Sequence, residues 1–352
     1  MSLTPRLKRP ASSLVAVVLA ATVLAAWRSG AHAEPTSRVY LNGVPTDVYF
    51  NDGDSFRVLA GPLTGNKARL EGFNTLESFG PAHQWGSWSA WELYVNAKQA
   101  TLNARTGVWH CTSDMDRDGY GRTLWICPDL AVDDIRKGLA HVYSVDDNPG
   151  RIEYIRAQRL AIRDRRGMWA HGVPQFIVTS IHSANEDPER DFAYNRMISV
   201  RDGHSDSLKH HENYSECQMV CLREKRVDYD RVDAVAAQLR ENRELATAIA
   251  SSAATTPPRQ PEPGSHGDPV PAVASLDAID NLHLATATAF YLRHDTLPEW
   301  VPPNALAPLT RALAAAKASG ALGTVTEAQG ACMLNVSFNR RYGMARASCL
   351  RH

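Results

Sequence analysis

The chain has 352 residues, of which 44% are hydrophobic, so it is long enough for more than one domain and apolar enough for packed cores. Its 38 lysine and arginine residues balance its 38 aspartate and glutamate residues, and the formal net charge at pH 7 is zero. This balance argues against a protein that coats nucleic acid through bulk positive charge. A local cluster of arginines is compatible with a net charge of zero.

The amino-terminal residues 1–33 have the pattern of a secretory signal peptide. Three basic side chains within residues 6–9 precede an apolar run over 14–27, and a small-residue triplet follows at 31–33. The run is shorter than the roughly 20 apolar residues that span a bilayer, which makes a membrane anchor the weaker alternative. We predict cleavage after Ala33 and a secreted or periplasmic mature protein without a membrane span.

Segment 36–172 alternates short β-rich runs with turns. The runs predict strands at residues 47–50, 55–59, 67–71, 108–112 and 122–127. Helical patterns appear at residues 84–101, 132–139 and 152–165. Strand runs grouped around one long helix, with further helices at the end, favour an α+β fold built on a five-stranded OB-type β-barrel with three helices.

One disulfide follows from the arrangement of these runs. The chain has six cysteines, and an even number in an exported protein favours disulfides over redox or metal chemistry. Cys111 and Cys127 flank a turn-rich stretch between two strand-like runs. We therefore predict that they face each other across a hairpin and form a disulfide.

The pairing of the other four cysteines stays open. Cys332 and Cys349 repeat the hairpin arrangement near the carboxyl end. Cys217 and Cys221 lie one turn apart if helical, where a mutual bridge is awkward, so they could instead reach Cys332 and Cys349. Zinc binding by Cys217 and Cys221 with the histidine pair at 210–211 is a weaker alternative, because the spacing is not that of a zinc finger.

The remainder of the chain divides by composition. We interpret residues 173–250 as an uncharacterised, mostly helical region that contains two cysteines. Residues 251–275 are rich in Pro, Ala, Ser, Gly and Thr, which indicates a disordered linker. Residues 276–352 have helix-like segments followed by a pattern that resembles a hairpin.

Five sequence strings in segment 36–172 carry a family resemblance. In chain order they are NDGDSFRV from Asn51, ARLEGFNTLE from Ala68, DGYGRTLW from Asp118, RKGLAHV from Arg136, and a terminal Trp169. Each string is weak alone, but their order and spacing resemble the staphylococcal nuclease (thermonuclease) family. The resemblance covers nearly all of segment 36–172 and nothing beyond it.

The resemblance implies a calcium site. Asp54 and Asn74 would bind Ca²⁺ through their side chains and Thr75 through its backbone carbonyl, while Asp52 would brace the turn. Oxygen atoms of these kinds are the ligands that calcium prefers. Asn74 stands where the family usually has a second aspartate, so the site lacks one negative charge and we expect weaker calcium binding.

The resemblance also implies the catalytic groups. Arg69 and Arg122 would hold the phosphate, since guanidinium groups donate paired hydrogen bonds and stay charged at any relevant pH. Glu77 would act as the general base that activates water, and an unperturbed glutamate is already ionised near neutrality. Tyr120 and Tyr143 are candidates for contacting a nucleotide ring.

A second departure from the family pattern precedes the predicted base. Leu76 replaces the usual proline, which we expect to loosen the turn that presents Glu77. Slower or lost catalysis would follow.

These features together predict a secreted, calcium-dependent endonuclease, expected to be a monomer, that hydrolyses phosphodiester bonds of DNA and RNA. By resemblance, it would have low sequence specificity and leave 3′-phosphate ends. One alternative is a catalytically impaired nucleic-acid-binding module on the same barrel. Another is an envelope-binding protein that acts through residues 173–352.

Overall fold

The computed structural model of the protein describes residues 37–260, 269–337 and 347–350. The predicted signal peptide lies outside these ranges. The described chain mixes helices and strands, which confirms the α+β prediction. None of the helices in these ranges combines the length and the apolar character needed to span a bilayer.

The predicted catalytic segment contains nine strands. They are β1 (Ser37–Leu41), β2 (Val44–Asp52), β3 (Ser55–Val58), β4 (Lys67–Leu70), β5 (Phe73–Thr75), β6 (Ala82–Gln84), β7 (Val108–Cys111), β8 (Thr123–Trp125) and β9 (Ala140–Val142). Six of them form one curled sheet in the order β7-β1-β2-β3-β4-β8. The sheet therefore contains the five predicted strands and one more, β1.

The two edge strands of this sheet are joined at one end. Thr112, after β7, and Ile126, after β8, exchange two backbone hydrogen bonds of 2.9 Å. The neighbouring residues Cys111 and Cys127 form a disulfide, as predicted. These contacts connect the first and last strands of the sheet and help it to curl around its core.

Alternating burial explains why these runs form strands. In β2, Val48 and Phe50 are fully buried, and in β3 Phe56 is buried as well, so apolar side chains at every second position face one core. Leu70 and Trp125 complete that core from β4 and β8.

Three helices follow the predicted pattern. They are α1 (Ala90–Thr106), α2 (Pro128–Lys137) and α3 (Ile152–Arg163). Helix α1 begins later than predicted, because Ser89 and Glu92 form a capping box that fixes its first turn. Helix α2 ends at Gly138, which has a left-handed φ of 68°.

The region 173–250 was predicted to be mostly helical, and this prediction was wrong. It begins with strands β10 (Phe176–Ser180), β11 (Ala193–Ser199), β12 (Ser205–His210) and β13 (Met219–Arg226), before helices α4 (Tyr229–Arg240) and α5 (Arg243–Ser252). Strands β10, β11 and β12 form one antiparallel sheet. Burial alternates from Ala193 to Met197 in β11, which is the period of a strand and not of a helix.

The carboxyl-terminal region packs onto this part of the chain. It contains α6 (Asn281–His294), α7 (Pro303–Ala318) and β14 (Thr326–Leu334). Helices α4 to α7 share one apolar core. The predicted linker 251–275 is structured in both parts that the structure describes. Helix α5 extends into its first residues, and Arg259 and Val270 exchange backbone hydrogen bonds of 2.9 Å. Residues 261–268 are not among those described.

Strand β14 connects the carboxyl-terminal region to the predicted catalytic segment. It lies between β13 and β6 in a three-stranded antiparallel sheet. Disulfides Cys221–Cys332 and Cys217–Cys349 fix this arrangement. Cys332 and Cys349 therefore do not pair with each other across a terminal hairpin, and Cys217 and Cys221 are not free to bind zinc. The predicted hairpin falls partly on residues 338–346, outside the described chain. The three disulfides fit the expectation of an extracytoplasmic protein.

Candidate active site

A cleft of about 850 Å³ opens beside strands β4 and β5. All eight residues that the sequence assigned to metal, phosphate, water or nucleotide contacts line it: Asp54, Arg69, Asn74, Thr75, Glu77, Tyr120, Arg122 and Tyr143. They come from several strands and loops that are separated in sequence. The structure therefore brings the predicted site together in one place.

Asp54 is held in the turn between β2 and β3. The backbone N–H and the hydroxyl of Thr75 donate hydrogen bonds of 2.7 and 3.1 Å to its Oδ2 atom. Gly53 makes this approach feasible, because a Cβ at that position would lie 2.5 Å from Thr75 Cγ2 and 2.9 Å from Ala100 Cβ. Asp52 Oδ1 accepts a 2.5 Å hydrogen bond from Ser55 Oγ across the same turn, which is the position from which Asp52 was expected to brace it.

The guanidinium of Arg69 occupies the centre of the site. Its Nη1 donates a 2.6 Å hydrogen bond to Asp54 Oδ1, and its Nη2 donates to Asn74 Oδ1. The Asn74 amide in turn donates to the carbonyl of Thr75 at 2.8 Å. The oxygen atoms of Asp54 and Asn74 thus converge on one cationic group, as they would on a metal ion.

These atoms fit the calcium ligand set that the resemblance implies. A carboxylate, an amide oxygen and a backbone carbonyl are all hard oxygen donors. Two of the three, Asp54 and Asn74, already contact a positive charge. Arg69 would have to turn away before a metal ion could take its place between them.

Arg122 faces the cleft from the residue before β8. Its Nε donates a 2.7 Å hydrogen bond to Asp118 Oδ2, and Asp118 Oδ1 accepts from the backbone N–H of Arg122 at 2.9 Å. The ring of Tyr120 lies 5.5 Å from the Arg122 guanidinium carbon, and the ring of Tyr143 lies 5.5 Å from that of Arg69. Each arginine is therefore placed beside one of the two predicted tyrosines.

The turn that presents Glu77 is held by two contacts. The Glu77 backbone N–H donates a 3.0 Å hydrogen bond to Nε2 of His83. Burial lowers the pKa of His83 to about 3, so the imidazole is neutral and accepts this bond. Leu76 is 1% exposed and belongs to an apolar cluster that includes Leu93 and Trp169. This packing opposes the loosening that we expected when leucine replaces proline.

The ionisation of Glu77 differs from the prediction. Burial, together with the charges of Asp54 and Asp52, raises the pKa of Glu77 to about 8, although Arg69 and Arg122 act in the opposite direction. Burial and the charge of Asp54 likewise raise the pKa of Asp52 to about 7. Near neutrality Glu77 therefore mostly keeps its proton and Asp52 is partly protonated, whereas the sequence predicted an ordinary, ionised glutamate.

Sequence reasoning missed several residues of the cleft. Asp118 could have been found from its place in the turn four residues before Arg122. No local signal points to three further lining residues: His182 in the loop between β10 and β11, and Tyr194 and Arg196 on β11. These residues reach the site only through long-range packing.

A separate group of potential metal ligands lies outside the cleft. Donor atoms of Asp147, His204 and Asp206 all lie within 4.8 Å of one another. The buried carboxylate of Asp202 contacts His204 Nδ1 at 2.5 Å and orients the ring. Carboxylate–histidine pairs of this kind also occur as structural ion pairs, and this group was not predicted from the sequence.

A scan against protein families finds no matching family, and a search of curated proteins finds no significant match. The functional argument therefore rests on the residues and geometry of the cleft and on the motif resemblance.

Proposed function

We propose that this protein is a calcium-assisted nuclease of the staphylococcal nuclease type, which hydrolyses phosphodiester bonds of DNA and RNA. One observation carries the proposal: Asp54, Arg69, Glu77 and Arg122 line a single cleft although they come from separate parts of the chain. Their convergence places two guanidinium groups, a carboxylate and a second carboxyl group beside one open space.

The architecture supports the same proposal. A curled six-stranded sheet whose edges are joined at Thr112 and Ile126, with three helices around it, is compatible with an OB-type barrel. The cleft lies at strand ends and loops of this sheet. Side chains on a rigid scaffold of this kind are held in the defined geometry that catalysis needs.

The residues of the cleft supply three parts of phosphodiester hydrolysis, and the oxygen that leaves when the P–O bond breaks takes its proton from solvent. Arg69 and Arg122 would donate hydrogen bonds to the phosphate oxygens and offset the negative charge that develops in the transition state. Glu77, once ionised, would take a proton from the attacking water. A calcium ion held by Asp54, Asn74 and Thr75 would supply further positive charge at the phosphate.

The test is digestion of plasmid DNA and of RNA by the purified mature chain. We expect cutting with calcium, none with a chelator, and none by Glu77→Gln. Glu241→Gln is the matched control, because this glutamate is exposed and lies outside the cleft lining. Cutting that survives both the chelator and Glu77→Gln would contradict the proposal.

A second function is favoured by the charge state of the site. Arg69 already satisfies Asp54 and Asn74, and the raised pKa of Glu77 keeps a proton on the proposed base near neutrality. Both features suit a nucleic-acid-binding module whose chemistry is impaired. Calcium-independent binding of an oligonucleotide without any cleavage would support this function over the nuclease.

A further inference from the structure

The far wall of the cleft comes from a part of the chain that the nuclease resemblance does not cover. His182, Tyr194 and Arg196 belong to the β10–β11 region and line the same cleft as Arg69 and Arg122. The cleft is therefore a space between two regions, and substrate bound at the arginines also faces this second wall.

Direct contacts hold the second wall in place. The hydroxyl of Tyr194 lies 2.8 Å from the hydroxyl of Tyr120, which projects from the opposite wall. Arg196 Nη1 donates hydrogen bonds to the carbonyl of Val145 at 2.6 Å and to Ser205 Oγ at 2.9 Å. Val145 lies two residues after Tyr143, whose ring is beside Arg69. The contact of Arg196 with Val145 therefore connects the second wall to the chain segment next to the proposed phosphate site.

The second wall combines aromatic and polar side chains, since Thr179 and Ser180 line it together with His182, Tyr194 and Arg196. The rings of His182 and Tyr194 lie 5.0 Å apart, and Tyr194 is half-buried with its side chain on the cleft. Arg196 is the one cation among these wall residues, and its Nη1 is used in contacts to the protein. The proposed phosphate site already has Arg69 and Arg122, so the distinct contribution of His182 and Tyr194 to the cleft is aromatic surface.

We infer that Tyr194, supported by His182, forms a subsite for a nucleobase of the strand whose phosphate lies between Arg69 and Arg122. This inference rests on the proposed function and specifies how the substrate lies in the cleft. Stacking on an aromatic side chain binds any base, because every base has a π-face. A cleft of about 850 Å³ suits one or two nucleotides of a single strand, since pockets of roughly 300–1,000 Å³ enclose ligands of small-molecule size.

Binding of a short single-stranded oligonucleotide tests the subsite. The full mature chain carrying Glu77→Gln is used with calcium, so that the strand stays intact, and affinity is followed by fluorescence anisotropy. We expect Tyr194→Ala to weaken binding about tenfold, in line with the loss of one base stack. Tyr194→Phe keeps the ring and loses only the hydroxyl contact, so its affinity should stay within about twofold of the parent.

An abasic strand of the same length is the matched ligand. It carries the phosphates without the bases, so Tyr194→Ala should not change its affinity if Tyr194 binds a base. Equal weakening for the abasic and the normal strand would overturn the inference, and so would unchanged binding of the normal strand. If Tyr194→Ala unfolds, Tyr194→Leu can replace it, because leucine keeps apolar volume without an aromatic face. We expect Tyr194→Leu to weaken binding of the normal strand and to leave binding of the abasic strand unchanged.

The subsite and the nuclease can fail separately. Calcium-dependent cutting by the wild type, together with unchanged oligonucleotide binding by Tyr194→Ala, would overturn the subsite and leave the nuclease. Binding that depends on Tyr194 but no cutting would leave the subsite and overturn the nuclease. A wild-type protein that neither binds nor cuts would overturn both.

Discussion

Arg69 Nη1 lies 2.6 Å from Asp54 Oδ1. The arginine that we propose binds the phosphate is therefore paired with the aspartate that we propose binds calcium. The side chains of Arg69 and Asp54 are 16% and 6% exposed. Water screens such a pair weakly, and each charge depends on the other. Binding of a cation at Asp54 and release of Arg69 towards a phosphate are therefore expected to be coupled.

Removing either arginine should slow cleavage by roughly 10²–10³-fold, because each loses charge stabilisation in the transition state. Their effects on stability should differ. Arg69→Ala leaves the buried Asp54 carboxylate unpaired and should lower the free energy of unfolding by about 3–5 kcal/mol.

Arg122→Ala breaks a more exposed pair with Asp118 and should cost about 1 kcal/mol or less. Urea denaturation without calcium, alongside a cleavage assay, measures both effects. Equal stability losses in the two variants would contradict the role assigned to the buried pair.

Calcium should restore part of the stability that Arg69→Ala loses. A metal ion bound by Asp54 supplies the positive charge that the guanidinium no longer provides, and a ligand that binds only the folded state stabilises it. Thermal unfolding with increasing calcium should show a larger rise in melting temperature for Arg69→Ala than for wild type. The same rise in both proteins would mean that calcium does not bind between Asp54 and Asn74.

Asn74→Asp should tighten calcium binding roughly tenfold, since affinity of oxygen sites depends on the number of charged ligands. The added carboxylate would also attract Arg69, so titration calorimetry has to be combined with stability measurements in chelator. Asn185→Asp adds the same charge at an exposed position outside the cleft and should leave calcium affinity unchanged. Equal affinities for Asn74→Asp and wild type would remove Asn74 from the ligand set.

Asp134 should make stability depend on pH. Its side chain is fully buried, Asn103 donates 2.7 Å to Oδ1, and burial raises the pKa to about 8. The folded protein keeps this proton up to about pH 8, whereas the unfolded chain loses it near pH 4. The free energy of unfolding should therefore fall as the pH rises from about 4 to about 8.

Asp134→Asn removes the titration and should stabilise the protein at pH 7 by on the order of 1–3 kcal/mol. The difference in urea midpoint between variant and wild type should grow from about pH 4 towards about pH 8. A constant difference across this range would contradict the raised pKa.

The Cys221–Cys332 disulfide should affect catalysis as well as stability. It joins β13 to β14, and Met333 on β14 pairs with His83 on β6, which holds the Glu77 backbone. Replacing both cysteines with serine should lower the free energy of unfolding by up to about 4 kcal/mol and slow cleavage by the protein that remains folded.

The double serine variant of Cys111 and Cys127 is the control, because that disulfide joins the ends of β7 and β8 in the six-stranded sheet, whereas His83 lies on β6 in a different sheet. It should lose stability with a smaller loss in rate per folded molecule. Similar losses of rate in both variants would argue against a link from β14 to Glu77.

Local patterns in the sequence were sufficient for much of the catalytic segment. β-rich runs located the strands on either side of Asp54 and the strand that carries Arg69, and the turn-rich stretch between Cys111 and Cys127 indicated their disulfide. The OB-type topology and the role of each site residue stay predictions. Strand β13 pairs with β14, which lies far along the chain, so no local pattern shows its partner. Strands β10, β11 and β12 pair with their neighbours in sequence and were missed because the whole region was predicted to be mostly helical.

By itself, the sequence determined the types of side chain available for the site and the short-range elements that carry them, because both depend on neighbouring residues. Only the tertiary structure decided the protonation of Glu77, the pairing of Arg69 with Asp54 and the placement of Tyr194 across the cleft. Burial and charge proximity arise from residues far apart in the chain, and no local pattern encodes them.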